Sequence, residues 1–363
     1  MRRILFLAVA VIMAIVSAHA QKMKVIDSDG NAVPYASVLT PTGEYIGITN
    51  LDGELADVKG AKAVTVTHVA FKSKEVKISG AEQTVTLDDA DFGLDEITVA
   101  PKPLVYVQTY YRVYLYSEKD GMIYYRVGLT DNSYDRQKKE VKASTNHAAK
   151  ATIGAVKVAL GLFGNLMDSM YGKIKISKIE NRMINKYKVV GLKFVDAGPG
   201  KKTIVDNKGV VGSVTDDVKD GLRRYTYNST KVYTHKLEAE GNTKKLQKRE
   251  KREAKKQNQH ETDYYVYRID EDGNYAPEDF VMMENLESYD ELEDGELDHK
   301  IFAVQVFNTE RAYVTKEELK QRKKENKMKL TYENIQQFER QNNIPPLLPA
   351  VQQKLKEVWK VGD

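Results

Sequence analysis

The segment that most narrows the fold is Leu104 to Tyr116, which alternates over its whole length. Successive strand side chains point to opposite sides. Val105, Val107, Thr109, Tyr111, Val113 and Leu115 therefore share one face, and Tyr106, Gln108, Tyr110, Arg112, Tyr114 and Tyr116 the other. After Ser117-Glu118-Lys119-Asp120-Gly121 the chain returns as Met122 to Thr130, where Met122, Tyr124 and Arg126 are expected to continue one face. A hairpin this long, aliphatic on one side and rich in Tyr and Arg on the other, belongs in a large antiparallel sheet. Tyr225, Tyr227, Tyr233, Tyr264, Tyr265 and Tyr267 repeat the composition, and one sheet would collect them all.

The Tyr/Arg face has two readings. Aromatic and arginine rows make good docking platforms, so Tyr110, Arg112, Tyr114, Tyr124 and Arg126 are the candidate partner-binding residues. The alternative, which strand propensity favours, is a sheet whose tyrosines lie beneath later helices.

Further strands are expected at Tyr187 to Val195, Arg223 to Tyr233, Asp263 to Ile269 and Ile301 to Phe307. Ala148 to Tyr171 is apolar but too short to span a bilayer, and reads as a helix against the sheet or, second, as an interfacial membrane helix. The chain closes in helices. Thr315-x-x-Glu318 is a capping box, Thr331 to Gln341 reads as a second helix, and Ile344-Pro345-Pro346 breaks before a last one reaching about Trp359. A sheet with segregated helices makes residues 104–363 an α+β domain.

The chain before residue 104 is patterned differently. Asp29-Gly30-Asn31, Thr42-Gly43 and Asp52-Gly53 signal tight turns, and Ala63 to Val69 and Gln83 to Leu87 alternate with period two. Regular turns between short strands over residues 24–99 predict an all-β sandwich, with Val25, Val38, Ile48, Val64, Val66, Val69, Phe71, Ile78 and Leu87 as its core. Ala100-Pro101-Lys102-Pro103 reads as a linker, because proline disfavours a continuing ladder.

The order Val25-Ile26-Asp27, Gly30, Pro34-Tyr35-Ala36-Ser37-Val38, Gly47, Thr49-Asn50-Leu51-Asp52-Gly53, Val64-Thr65-Val66, Val69-Ala70-Phe71-Lys72, Leu87 and Leu94-Asp95-Glu96-Ile97-Thr98-Val99 resembles the carboxypeptidase regulatory-like domain. The resemblance covers about one fifth of the 363 residues. It departs from the usual pattern at Ala70, where glycine is common, and at Leu55, where phenylalanine is. It implies a transthyretin-like sandwich of the kind found at the N-termini of Gram-negative envelope proteins, and a structural or interaction module with no active site of its own.

An address comes from the first residues. Arg2-Arg3, an apolar run from Ile4 to Val16 and Ala18-His19-Ala20 before Gln21 have the three parts of a secretory signal peptide, with cleavage expected between Ala20 and Gln21. The expected location is the periplasm or the periplasmic face of the outer membrane, with no transmembrane span in the mature chain. The formal net charge is +4, to which Arg2 and Arg3 contribute two, so nucleic-acid binding through bulk charge is not expected. There is no cysteine, which excludes disulfides, Cys-ligated metals and thiol nucleophiles.

Two charge runs remain. Lys244 to Lys256 carries eight basic residues, and Glu284 to Asp298 carries eight acidic ones. Both read as solvated insertions between strands, with mutual pairing as an alternative. Tests for catalysis mostly fail. His235-Lys236-Leu237-Glu238 matches the short zinc carboxypeptidase motif, but His260 and His299 are wrongly spaced for a third ligand. Asp27-x-Asp29-x-Asn31 and Asp270-x-Asp272-x-Asn274 begin like calcium loops but lack the later glycine and glutamate, and read as turns.

The expectation is a non-enzymatic envelope protein with a binding or structural role, no cofactor and no metal, whose partner is an envelope protein, a glycan or a lipid. A periplasmic lipid or lipoprotein carrier with a cavity against its sheet is the first alternative, and an unrecognised enzyme the second. A barrel receptor is excluded on length.

Overall fold

A computed structural model describes residues 21–90, 102–119, 121–152, 171–293, 295–325 and 331–359. The leader, Leu94 to Val99 and most of the apolar segment after Thr152 lie outside these residues. The chain divides into two units, Met1–Ala90 and Asp91–Asp363.

The first unit is β-sandwich-like. One sheet joins β1 (Lys22–Asp27) to β4 (Glu54–Leu55) and, in parallel, to β7 (Glu82–Leu87). The other runs β3 (Tyr45–Ile48), β2 (Ser37–Leu39), β5 (Ala63–His68) and β6 (Phe71–Lys77). Strand β5 buries every second residue, as its Ala-Val-Thr-Val pattern requires. Of the nine expected core residues, all are buried except Ile78, which is half-buried.

Its turns reuse one device. In Asp27-Ser28-Asp29-Gly30-Asn31, Asp27 Oδ1 accepts from the backbone N–H groups of Asp29 (3.0 Å) and Asn31 (2.8 Å). Asn50 does the same for Asp52 and Glu54. In the second unit Asp270 does so for Asp272 and Asn274. Each loop places its fourth residue, a glycine, at positive φ. The two calcium-like starts are thus turns whose first carboxylate is bonded to its own loop. Gly53 is required twice over, since a Cβ there would lie 2.4 Å from the Val25 carbonyl.

The second unit is built on one ten-stranded antiparallel sheet. Two meanders compose it. The first is β8 (Leu104–Ser117), β9 (Gly121–Asp135) and β10 (Glu140–Thr152). The second is β11 (Lys193–Asp196), β12 (Lys201–Asp206), β13 (Gly209–Asp217), β14 (Leu222–Tyr227), β15 (Lys256–Arg268), β16 (Phe280–Glu293) and β17 (Glu296–Val314). Strand β17 pairs with β8 and joins them, which leaves β10 and β11 at opposite edges.

Helices cover both faces. Helix α1 (Ile179–Lys186) and α2 (Ser229–Ala239) contribute Ile179, Met183 and Val232 to a core with Tyr111, Val113, Tyr124, Tyr225, Tyr267 and Val306. This is the first face. Helix α3 (Thr243–Glu253) follows α2 and buries no residue. The second face is met by the C-terminal helices α4 (Lys316–Glu325), α5 (Tyr332–Gln341) and α6 (Pro349–Trp359), through contacts such as Tyr110 with Phe338 and Leu104, Tyr106 and Val314 with Leu319. Thr315 and Glu318 form the expected capping box: each side chain bonds the other's backbone N–H. Among the described residues no helix is long and apolar enough to cross a membrane.

Several expectations need correction. Residues 148–152 are strand, paired with β9 from Ala148 opposite Gly128 to Thr152 opposite Tyr124; the rest of the expected helix, up to Met170, lies outside the described residues. The strand expected from Tyr187 begins only at Lys193, because residues 188–190 make a helical turn that ends on Gly191 at φ 65°. The strand expected to reach Tyr233 stops at Tyr227, where Asn228 accepts from the Lys231 N–H (2.7 Å) and opens α2. Tyr233 is therefore helical, while the other five tyrosines of that set lie in the sheet.

The acidic run is not a solvated insertion. It is the hairpin of β16 and β17, and Glu284, Ser288 and Asp298 are buried in it. Its charges are accommodated by specific partners: Glu284 accepts from Gln305, Asp290 meets His299 (2.7 Å), Glu291 meets Lys300 (2.9 Å) and Asp298 accepts from Ser117 (2.8 Å). Glu287 pairs with Lys256, so the acidic and basic runs do meet. The helical part of the basic run is largely solvated.

Candidate functional site

The structure separates the five residues expected to form one platform. Tyr110, Arg112 and Tyr114 lie on the second face. In β9 the register shifts, so that Tyr116 pairs with Met122 but Leu115 pairs with Tyr124 and Val113 with Arg126. This bulge moves Tyr124 and Arg126 to the first face, beside Tyr111 and Val113. All five are buried, between 0% and 7% exposed. A docking surface made of them has nothing to present to solvent.

On the second face these residues form a polar lock. Arg112 donates to Glu339 (2.9 Å), to the Pro345 carbonyl (2.7 Å) and, through Nε, to Gln305. Tyr110 donates to the same Glu339 oxygen (2.7 Å). Burial, then Glu339, raises the Tyr110 hydroxyl well above its ordinary pKa, so it stays a donor. Glu284, linked through Gln305, is pushed up to about 7 by burial, which its bond from Gln305 and the nearby Arg112 only partly offset. Every donor here is directed at the chain itself, so the arrangement fixes α5 to the sheet.

The first face carries the candidate site. Thr109, Thr130 and Asn132 lie together on it, and all three hold residues 171–174. Thr109 Oγ1 (2.6 Å) and Asn132 Nδ2 (2.9 Å) both donate to the Gly172 carbonyl, while Asn132 Oδ1 accepts from the Ile174 N–H (3.1 Å). Only glycine fits at residue 172: φ is 71°, and a Cβ would lie 2.6 Å from Thr130 Oγ1.

Held in this way, residues 171–175 form one wall of a cavity of about 270 Å³. Its floor is Tyr265 and Tyr267 of β15, Met283 of β16 and Val306 of β17, with Phe280 and Pro277 beside them. Arg182 of α1 closes another side, donating to the Ser177 carbonyl and to the Tyr267 hydroxyl (3.2 Å). Lys173 and Lys175 stand on the same wall as Ile174. The lining is predominantly apolar, with Lys173, Lys175 and Arg182 as its charged members. That composition suits noncovalent retention of a small apolar group.

The catalytic-type motif lies elsewhere. His235 and Glu238 are on α2, where His235 Nδ1 meets Asp206 (2.6 Å) and Glu238 meets Lys208. The cavity itself draws on residues from 171 to 306, and sequence reasoning missed it. Thr109 was the visible signal, the one polar residue on the aliphatic side of the first strand.

No protein-family model and no curated protein matches the chain.

Proposed function

We propose that this chain is an exported, non-enzymatic binding protein of a Gram-negative cell envelope, and that its second unit holds a small apolar ligand on the first face of the sheet. The observation that carries this reading is the cavity over Tyr267, Phe280, Met283 and Val306, walled by a segment that Thr109, Thr130 and Asn132 clasp. Burying apolar ligand surface there is worth about 25 cal/mol per Å². At about 270 Å³ the cavity lies near the lower end of ligand sites, which run from roughly 300 to 1,000 Å³, so a small ligand suits it better than a whole lipidated protein. The carrier reading is thereby favoured in a reduced form.

The first unit is proposed to be a carboxypeptidase regulatory-like domain acting as an interaction module. Its two sheets and its buried Val25, Val38, Val64, Val66 and Leu87 support this. Export rests on the leader. The zinc carboxypeptidase reading of His235 and Glu238 is disfavoured by their engagement with Asp206 and Lys208.

The test is titration of the full mature chain with the uncharged apolar dye N-phenyl-naphthylamine. Saturable binding is expected at one site, and Met283→Trp, which fills the floor, should remove it without lowering the melting temperature by more than a few degrees. Undiminished dye binding in Met283→Trp would show that this cavity is not the ligand site.

A further inference from the structure

The cavity has an uncompensated charge. Lys173, Lys175 and Arg182 all line it, and among the described residues no carboxylate does. Among the described residues, the acidic groups nearest in sequence to its lining are engaged elsewhere: Glu180 accepts from the hydroxyls of Tyr225 and Tyr275, and Asp279 meets Arg311 (2.7 Å) and the Ala276 N–H (2.6 Å). Neither Lys173 nor Lys175 has an ion-pair partner among the described residues.

Three cations lining one largely apolar cavity repel one another, and that repulsion is relieved by an anion. The effect is visible in Lys175, whose ammonium is driven below the usual lysine range by burial and then by Arg182 and Lys173. Arg182 is also oriented in advance, since the Ser177 carbonyl and the Tyr267 hydroxyl hold its two Nη groups. A guanidinium fixed in this way loses little freedom when it meets a planar or tetrahedral oxyanion.

We propose that the cavity takes a single-chain amphiphile with an anionic head, the chain lying over Tyr267, Phe280, Met283 and Val306 and the head meeting Lys173, Lys175 and Arg182. This rests on the reading of the second unit as a ligand-binding domain. The volume admits one short chain and not the paired chains of a diacyl lipid. A carboxylate and a phosphate head satisfy the three cations alike.

The experiment is displacement of bound N-phenyl-naphthylamine from the full mature chain by decanoate, decyl phosphate, decanol and decyltrimethylammonium at 0.1 M salt and pH 8. Decanoate or decyl phosphate should displace the dye at least tenfold more tightly than decanol, and the cationic amphiphile should be the weakest. Whichever anion is tighter identifies the head group. In Lys173→Gln/Lys175→Gln, which leaves the hydrogen bonds of Arg182 in place, the preference for the anion should fall at least fivefold while decanol is unchanged. Equal displacement by decanoate, decyl phosphate and decanol would overturn the proposal and leave the cavity reading standing. Failure of all four to displace the dye would remove the cavity reading and the proposal with it.

Discussion

Replacing Glu339 by glutamine tests whether the tyrosine–arginine face is held together as the structure indicates. The Arg112 guanidinium is 1% exposed, and Glu339 is the carboxylate that balances it, at 2.9 Å. Glu339→Gln keeps the shape and removes the charge, leaving a buried cation whose bonded neighbours are Gln305 and the Pro345 carbonyl, with the Tyr110 hydroxyl beside it and Glu284, held protonated by burial up to about pH 7, behind Gln305. Breaking one side of a buried pair costs about 3–5 kcal/mol, whereas replacing both sides with apolar groups is often close to neutral. For a unit of this size 1 kcal/mol is about 2–4 °C of melting temperature, so the single variant should lose roughly 10 °C or more. Arg112→Met/Glu339→Leu should recover most of that loss. The assay is differential scanning calorimetry on the full mature chain, followed at the transition of the second unit. A Glu339→Gln protein melting within 2 °C of the parent, or a double variant less stable than the single one, would refute the reasoning. Because the lock and the cavity are on opposite faces, dye binding at low temperature should be unchanged in Glu339→Gln.

Glu284 carries a pH prediction: its folded pKa of about 7 lies above its ordinary 4.5, so the folded chain binds the extra proton between them and stability falls as pH rises through that window. Glu284→Gln should therefore stabilise the second unit at pH 8, by up to about 3 kcal/mol, and have little effect at pH 4, as read by urea melts; the half-buried Glu261, also raised to about 7, keeps some slope in the variant. Gly53→Ala should destabilise the first unit by more than about 1 kcal/mol, measured by its thermal transition, since it combines positive φ with a Cβ 2.4 Å from a carbonyl. Asn132→Ala removes two bonds from the clasp, so limited proteolysis between residues 171 and 178 should quicken and dye binding weaken, at a stability cost of about 1–3 kcal/mol.

What could be read in advance was whatever is local. The alternation in Leu104 to Tyr116 specified β8, and Thr315-x-x-Glu318 specified the start of α4, because period and capping act over a few residues. Tyr124 and Arg126 went to the wrong face because one extra residue in β9 inverts the alternation beyond it, and nothing in the composition of Met122 to Arg126 marks a bulge. The acidic hairpin was misread for a related reason: charge density argued for solvent, while Lys256, Gln305, Lys300 and His299, which accommodate it, arrive from other parts of the chain. The cavity was illegible because its floor comes from three strands and its wall from a loop and a helix that only the finished sheet brings together.

The seam between β8 and β17 determines when this protein is most vulnerable. Ser117 and Asp298, which bond across it, are 181 residues apart, so β8 emerges from the ribosome long before its partner exists. Until β17 is made, the first meander has an open edge of fourteen residues, LVYVQTYYRVYLYS, almost free of charge. A long, apolar, unpaired edge is a template for pairing with another chain. Closing a loop of that length is also slow, because the entropy must be lost before the ladder forms. Aggregation of nascent or refolding chains should therefore begin at β8, and mutations that weaken β17 will show first as lost yield, before any measurable change in the folded protein.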